Sequence, residues 1–139
     1  MTSTLHEVRP RAAETEKITI NLGFVDLGQI DLMVREGFYS NRTDFIRTAI
    51  RNQLDRQADA VRGSVARQGL DLGLRHYSRA DLEAAQSRGE TLAISVVGLA
   101  SIAADVPPAL ARATIGAITV LGALHASTEV RAALADRMR

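Results

Sequence analysis

Three polar side chains, Lys17, Thr19 and Asn21, recur at every second position within the segment KITINL. A lysine ammonium donates to the acceptors of guanine. An asparagine amide donates and accepts at once, as adenine's edge requires, and a threonine methyl can rest on the methyl of thymine. A second polar group follows at Ser40-Asn41-Arg42, ahead of an apolar-periodic run. There a helix start would offer unpaired backbone N–H groups and a positive dipole end, a setting suited to phosphate. Catalytic chemistry has much less to work with. Ser95, Ser101, His125 and Asp105 are the available nucleophile and base types, with no GxSxG elbow, glycine-rich phosphate loop or paired carboxylates around them. No enzyme activity is expected. The chain has no cysteine, and His6, His76 and His125 have no histidine neighbour in sequence, so neither a metal nor a cofactor is expected.

The elements that must hold these groups are readable locally. Ile18, Ile20 and Leu22 alternate with the polar set, the period of a half-buried strand over Lys17–Leu22. A lone strand leaves its backbone groups unpaired, and no second alternating segment lies near enough for a hairpin. The simplest partner is the same strand of a second copy, antiparallel about a two-fold axis. Asp26 and Gln29 read as a capping arrangement for a helix to about Glu36, ended by Gly37. Ser40 or Asn41 caps a second helix, with Phe45, Ile46, Ala49, Ile50 and Leu54 as its apolar stripe. That helix is expected to run on through Asp55–Arg67.

Strand ITINL followed by GFYSNRTDFIRTAIR resembles the ribbon-helix-helix DNA-binding family over residues 17–56. The resemblance implies a dimer whose paired strands enter the major groove. Lys17, Thr19 and Asn21 would then be the base readers. Ser40, Asn41 and Arg42 would contact phosphate, and Ile18, Ile20, Leu22, Ile30, Phe45, Ile46 and Ile50 would form a shared dimer core. The partners implied are double-stranded DNA and a second copy of the chain.

The remainder divides by composition. Met1–Glu16 lacks periodicity and carries Arg9-Pro10-Arg11, a mobile tail or a basic arm on DNA. A DNA-binding domain is expected over 17–68. A second domain, 69–139, is richer in Ala, Gly, Val, Ile and Leu, with Gly69 and Gly73 marking the break. Here a shift of 24 residues brings 7 of 18 positions between Ile94 and Ala111 into identity, Gly98 onto Gly122 among them. A fainter copy aligns Leu70 and Leu72 with Ile94 and Val96. Each unit reads as strand, turn and short helix, so parallel strands with helices on one side are expected. Pro107-Pro108 suits one helix start, and Ser127 or Thr128 another. Gly98 and Gly122 read as close backbone approaches or bulges. The fold class is therefore α+β, an intermolecular ribbon domain plus a small α/β repeat domain that could build tetramers or larger assemblies.

Charge and hydropathy narrow the setting. Between Lys17 and Arg67, eight basic residues oppose six acidic ones, leaving +2 per protomer within a chain of net +1. That suits a sequence-specific binder of modest salt-dependent affinity better than a nucleic-acid coat. The apolar runs Thr91–Ala104 and Ala113–Ser127 fall short of the ~20 residues a membrane helix needs. A cytoplasmic, nucleoid-associated transcriptional repressor is expected. The alternatives are an antitoxin, and an assembly protein that uses the ribbon only to dimerise.

Overall fold

The computed structural model describes residues 14–139. The described residues separate into two compact units, divided between Val61 and Arg62. The division falls inside one helix, whereas the expected boundary at 68 lies at that helix's end. Arg9 and Arg11 of the expected basic arm lie outside the described residues.

In the first unit, α1 spans Phe24–Arg35 and α2 spans Arg42–Arg56. Helix α1 begins two residues ahead of the expected Asp26 cap. Gly23 occupies the N-cap without a side-chain bond, and Asp26 sits in the first turn, where its charge favours the dipole. Gln29 does not close a capping box; its side chain donates to Val25 O instead. The far end follows local chemistry closely. Gly37 takes φ +86, its amide donates to Val34 O, and the Phe38 amide reaches Met33 O. This is a Schellman ending, in which the positive φ favours glycine.

Asn41 rather than Ser40 caps α2. Asn41 Oδ1 accepts from the Asp44 amide at 2.8 Å, and Asp44 Oδ2 accepts from the Ser40 amide at 2.9 Å. The expected long second helix is two helices. Gln57 interrupts it, its amide shared between Gln53 O and Leu54 O, before α3 runs over Ala58–Gln68. Gly69, at φ +64, ends α3 with the Leu70 amide on Val65 O.

The second unit has three strand–helix repeats. Strand β1 (Asp71–Tyr77) leads to α4 (Arg79–Ser87), β2 (Leu92–Ile102) to α5 (Pro108–Thr114), and β3 (Ile115–His125) to α6 (Thr128–Ala133) and a short 3-10 turn. The strands are parallel in the order β1-β2-β3. Ile94, Val96, Ala100, Ile102 and Ile118 meet Leu82, Leu110, Ala111 and Val130 from the three helices, and Leu134 just past α6, in one core. Pro108 opens α5, Ser127 caps α6 on the Val130 amide, and Ser78 with Asp81 forms a full capping box on α4. The one buried polar side chain among the described residues, Thr114, is satisfied by Leu110 O at 2.8 Å.

Two details of the repeat differ from the sequence reading. Ile94 pairs with Ile118, a spacing of 24, but Leu72 pairs with Val97, a spacing of 25. Because a one-residue slip reverses every side chain in a strand, Leu72 faces away from the helices and is 62% exposed. Gly73 is also no break: it lies inside β1, level with Gly98 and Gly122. A Cβ on Gly98 or Gly122 would run into the carbonyl of the glycine on the preceding strand, so close approach, not a bulge, sets this column.

Candidate nucleic-acid interface

Residues 17–22 precede α1 in neither helix nor strand, because a β-ladder needs a partner and the single chain offers them none. Their two faces still part company. Ile20 and Leu22 line a groove of about 400 Å³ with Asp26, Gln29 and Ile30 of α1 and Phe45, Ile46, Ala49 and Ile50 of α2. Lys17, Thr19 and Asn21, on the other parity, are exposed and take no part in it. Six of the seven residues expected in a dimer core are thus brought together around one groove. Ile18 is outside it and 70% exposed.

The groove is apolar and poorly covered. Ile30 is the only buried hydrophobic among the described residues of this unit, while Ile20 and Ile50 remain 58% and 47% exposed. Phe24, Val25, Leu32, Phe38 and Leu54 are exposed as well. A unit this small that leaves its helix stripes in water lacks the burial an independent core requires. Exposed apolar patches of this kind mark an interaction surface.

At the start of α2, Ser40, Asn41 and Arg42 are all exposed and adjacent. Arg42 has a second engagement that the sequence did not reveal. Its guanidinium forms a bidentate pair with Asp31 of α1, at 2.8 and 2.9 Å. The hydrogen bond from Arg42 holds the Asp31 carboxyl below the usual carboxylate range and raises the guanidinium in turn. Tyr39 adds an edge-on contact to Phe45, with centroids 4.9 Å apart. Together these clamp the α1–α2 corner and set where the α2 N-terminus points. Asp31 was legible only as a surface residue of α1, since its partner lies eleven positions on across a turn.

Two of the histidines share a row of the sheet. His76, Ser101 and His125 occupy one row across β1, β2 and β3, and His76 Nδ1 lies 2.7 Å from Ser101 Oγ. The two imidazoles are two strands apart, about 9.5 Å at ordinary strand spacing, too far to share one ion. Among the described residues no three His, Cys, Asp or Glu side chains cluster as metal ligands would. No helix there is long and apolar enough to cross a membrane.

An alternating segment followed by two helices, with Ile20, Leu22 and both helices lining a common apolar groove, fits the ribbon-helix-helix class. The chain matches the Ribbon-Helix-Helix transcriptional regulator family over residues 13–131 and belongs to it. No curated protein and no solved structure matches the chain.

Proposed function

We propose that the chain is a dimeric, sequence-specific DNA-binding repressor that lays a two-stranded β-ribbon in the major groove. Residues Lys17–Leu22 of two protomers pair antiparallel. Lys17, Thr19 and Asn21 meet base edges, each good contact discriminating by roughly 1–3 kcal/mol. Ile18, Ile20 and Leu22 turn inward onto Ile30, Phe45, Ile46 and Ile50 of both chains, so that folding and dimerisation become one event. The first turn of α2, at Ser40, Asn41 and Arg42, touches the phosphate backbone and sets register. Arg42 does so from a position already fixed by Asp31.

The observation that carries this reading is the split of the ribbon segment. Ile20 and Leu22 of its apolar parity converge with both helices on an uncovered groove, and its hydrogen-bonding parity is left exposed. The second unit would then join ribbon dimers, converting modest half-site binding into tight binding on adjacent sites through effective concentration. Fluorescence anisotropy on DNA recovered by genomic selection tests the proposal. The Lys17→Ala, Asn21→Ala double variant should lose sequence discrimination and keep the assembly mass of the unaltered chain in sedimentation. Unchanged discrimination would leave the ribbon as a dimerisation device alone.

A further inference from the structure

The two edges of the three-stranded sheet are finished differently. At β3 the chain end folds back: Met138 bridges to Ile118, and the Arg139 amide donates to Ile118 O at 2.8 Å. At β1 no described strand lies outside Asp71–Tyr77. Such an edge presents a row of backbone donors and acceptors ready to pair. Natural edges are protected by charge, proline or short length; β1 has no lysine or proline over seven residues, nearly all exposed, and its two charges, Asp71 and Arg75, are of opposite sign.

Gly73 carries a second sign of an outer neighbour. Gly98 and Gly122 have φ +137 and +119, and in front of each stands the carbonyl of the preceding strand's glycine. Gly73 has the same kind of backbone, φ +130, with nothing within 4 Å of the corresponding position. The outermost strand therefore has the shape of its paired neighbours and open space where a further strand would approach.

The sequence around that glycine states what fits. Asp71-Leu72-Gly73-Leu74-Arg75 is complementary to its own reverse. We propose that β1 pairs antiparallel with β1 of a second copy about a two-fold axis through Gly73. Asp71 then opposes the partner's Arg75, Leu72 opposes the partner's Leu74, and the two glycines meet at the axis. Directly opposed Cβ atoms in such a pair stand about 4.5–5.5 Å apart, within reach of an ion pair. Within one chain Asp71 and Arg75 already pair at 3.1 Å, so the contact gathers four charges into one alternating network. A slip of the axis to Leu74 would set Asp71 against the partner's Tyr77 and lose this match. Ala84, exposed on α4 beside the edge groove, adds no bulk in the way. The product is a continuous six-stranded sheet with its helices on one side, formed without the ribbon or DNA.

The chain's lack of cysteine makes the register directly testable. In the full-length Leu72→Cys, Leu74→Cys variant, air oxidation should give interchain disulfides joining position 72 to position 74, identified by peptide mass spectrometry. Disulfides joining 72 to 72 or 74 to 74, or none in a folded variant, would overturn the proposal. A charge series decides the matter if the cysteine variant does not fold. Asp71→Arg alone and Arg75→Asp alone should each speed amide exchange across β1 at least about tenfold relative to β2, and the double reversal should restore protection. Unchanged β1 exchange in both single variants would overturn it. Loss of DNA binding elsewhere in the chain would leave these readouts untouched.

Discussion

Replacing Ile20 with alanine separates a dimer core from an exposed patch. In the single chain Ile20 is 58% exposed at the rim of the α1–α2 groove, so its removal should cost an isolated protomer little. In the proposed dimer the same side chain is enclosed by both protomers. Truncating a fully packed isoleucine to alanine costs about 2–5 kcal/mol, and a two-fold dimer loses the contact twice, about 4–10 kcal/mol in all. At about 1.4 kcal/mol per tenfold, the dimer Kd should rise at least about a thousandfold. Sedimentation equilibrium in an Asp71→Arg background, which opens the proposed β1 pairing, measures this with unfolding followed at several protein concentrations. Asn21→Ala, one residue away on the other parity, should leave the dimer Kd within about twofold, because surface changes of this kind are nearly neutral. Ile20→Asp should abolish folding of the ribbon domain, since it buries an unpaired charge. A dimer indifferent to Ile20→Ala and weakened by Asn21→Ala would mean that the two faces of the strand are assigned the wrong way round.

Other outcomes follow from the same geometry. Gly98→Ala should destabilise the second unit by on the order of 2–4 kcal/mol, combining a positive φ with a Cβ against the Gly73 carbonyl; urea unfolding of the full chain would register it as an earlier transition. Asn41→Ala removes the acceptor for the Asp44 amide and should cost about 0.5–2 kcal/mol in thermal unfolding. Arg42→Ala should raise the Asp31 pKa toward its ordinary value, read by carboxyl NMR titration. It should also weaken DNA binding alike across sequences, as a phosphate contact does, and an altered base preference would contradict that role. Because the folded pKa of Asp31 is depressed, its pairing contributes stability above the unfolded carboxylate pKa. That contribution fades as pH falls through the lower folded value, and in Arg42→Ala this acid-side dependence should shrink.

What could be read ahead of the structure was governed by range. Gly37 and Pro108 declare helix ends through chemistry confined to three or four neighbours, and of the paired candidates Ser40 or Asn41 and Ser127 or Thr128 the structure uses Asn41 and Ser127. Of the seven residues expected to share a dimer core, Ile20, Leu22, Ile30, Phe45, Ile46 and Ile50 line one groove, while Ile18, on the same apolar phase, does not. The pair Asp31–Arg42 was not legible, since nothing in either helix alone singles out those two charges. Strand β1 was legible only as a faint copy of the repeat, because Gly73 reads as a breaker until its φ of +130 is seen to continue the column of Gly98 and Gly122. The register of the first repeat failed by one residue, because identity at a spacing of 24 carried no hint that the β1 to β2 spacing is 25. That single residue also concealed the common row of His76, Ser101 and His125. The interruption at Gln57 has no evident local cause.

Genome-wide footprinting of the tagged full-length chain addresses the central claim, that a ribbon bearing Lys17, Thr19 and Asn21 reads DNA sequence. The account predicts sharp sites that share a short repeated motif, lost together in the Lys17→Ala, Asn21→Ala variant while its assembly mass is unchanged. Diffuse occupancy with no common motif, or sites unchanged in that variant, would contradict it.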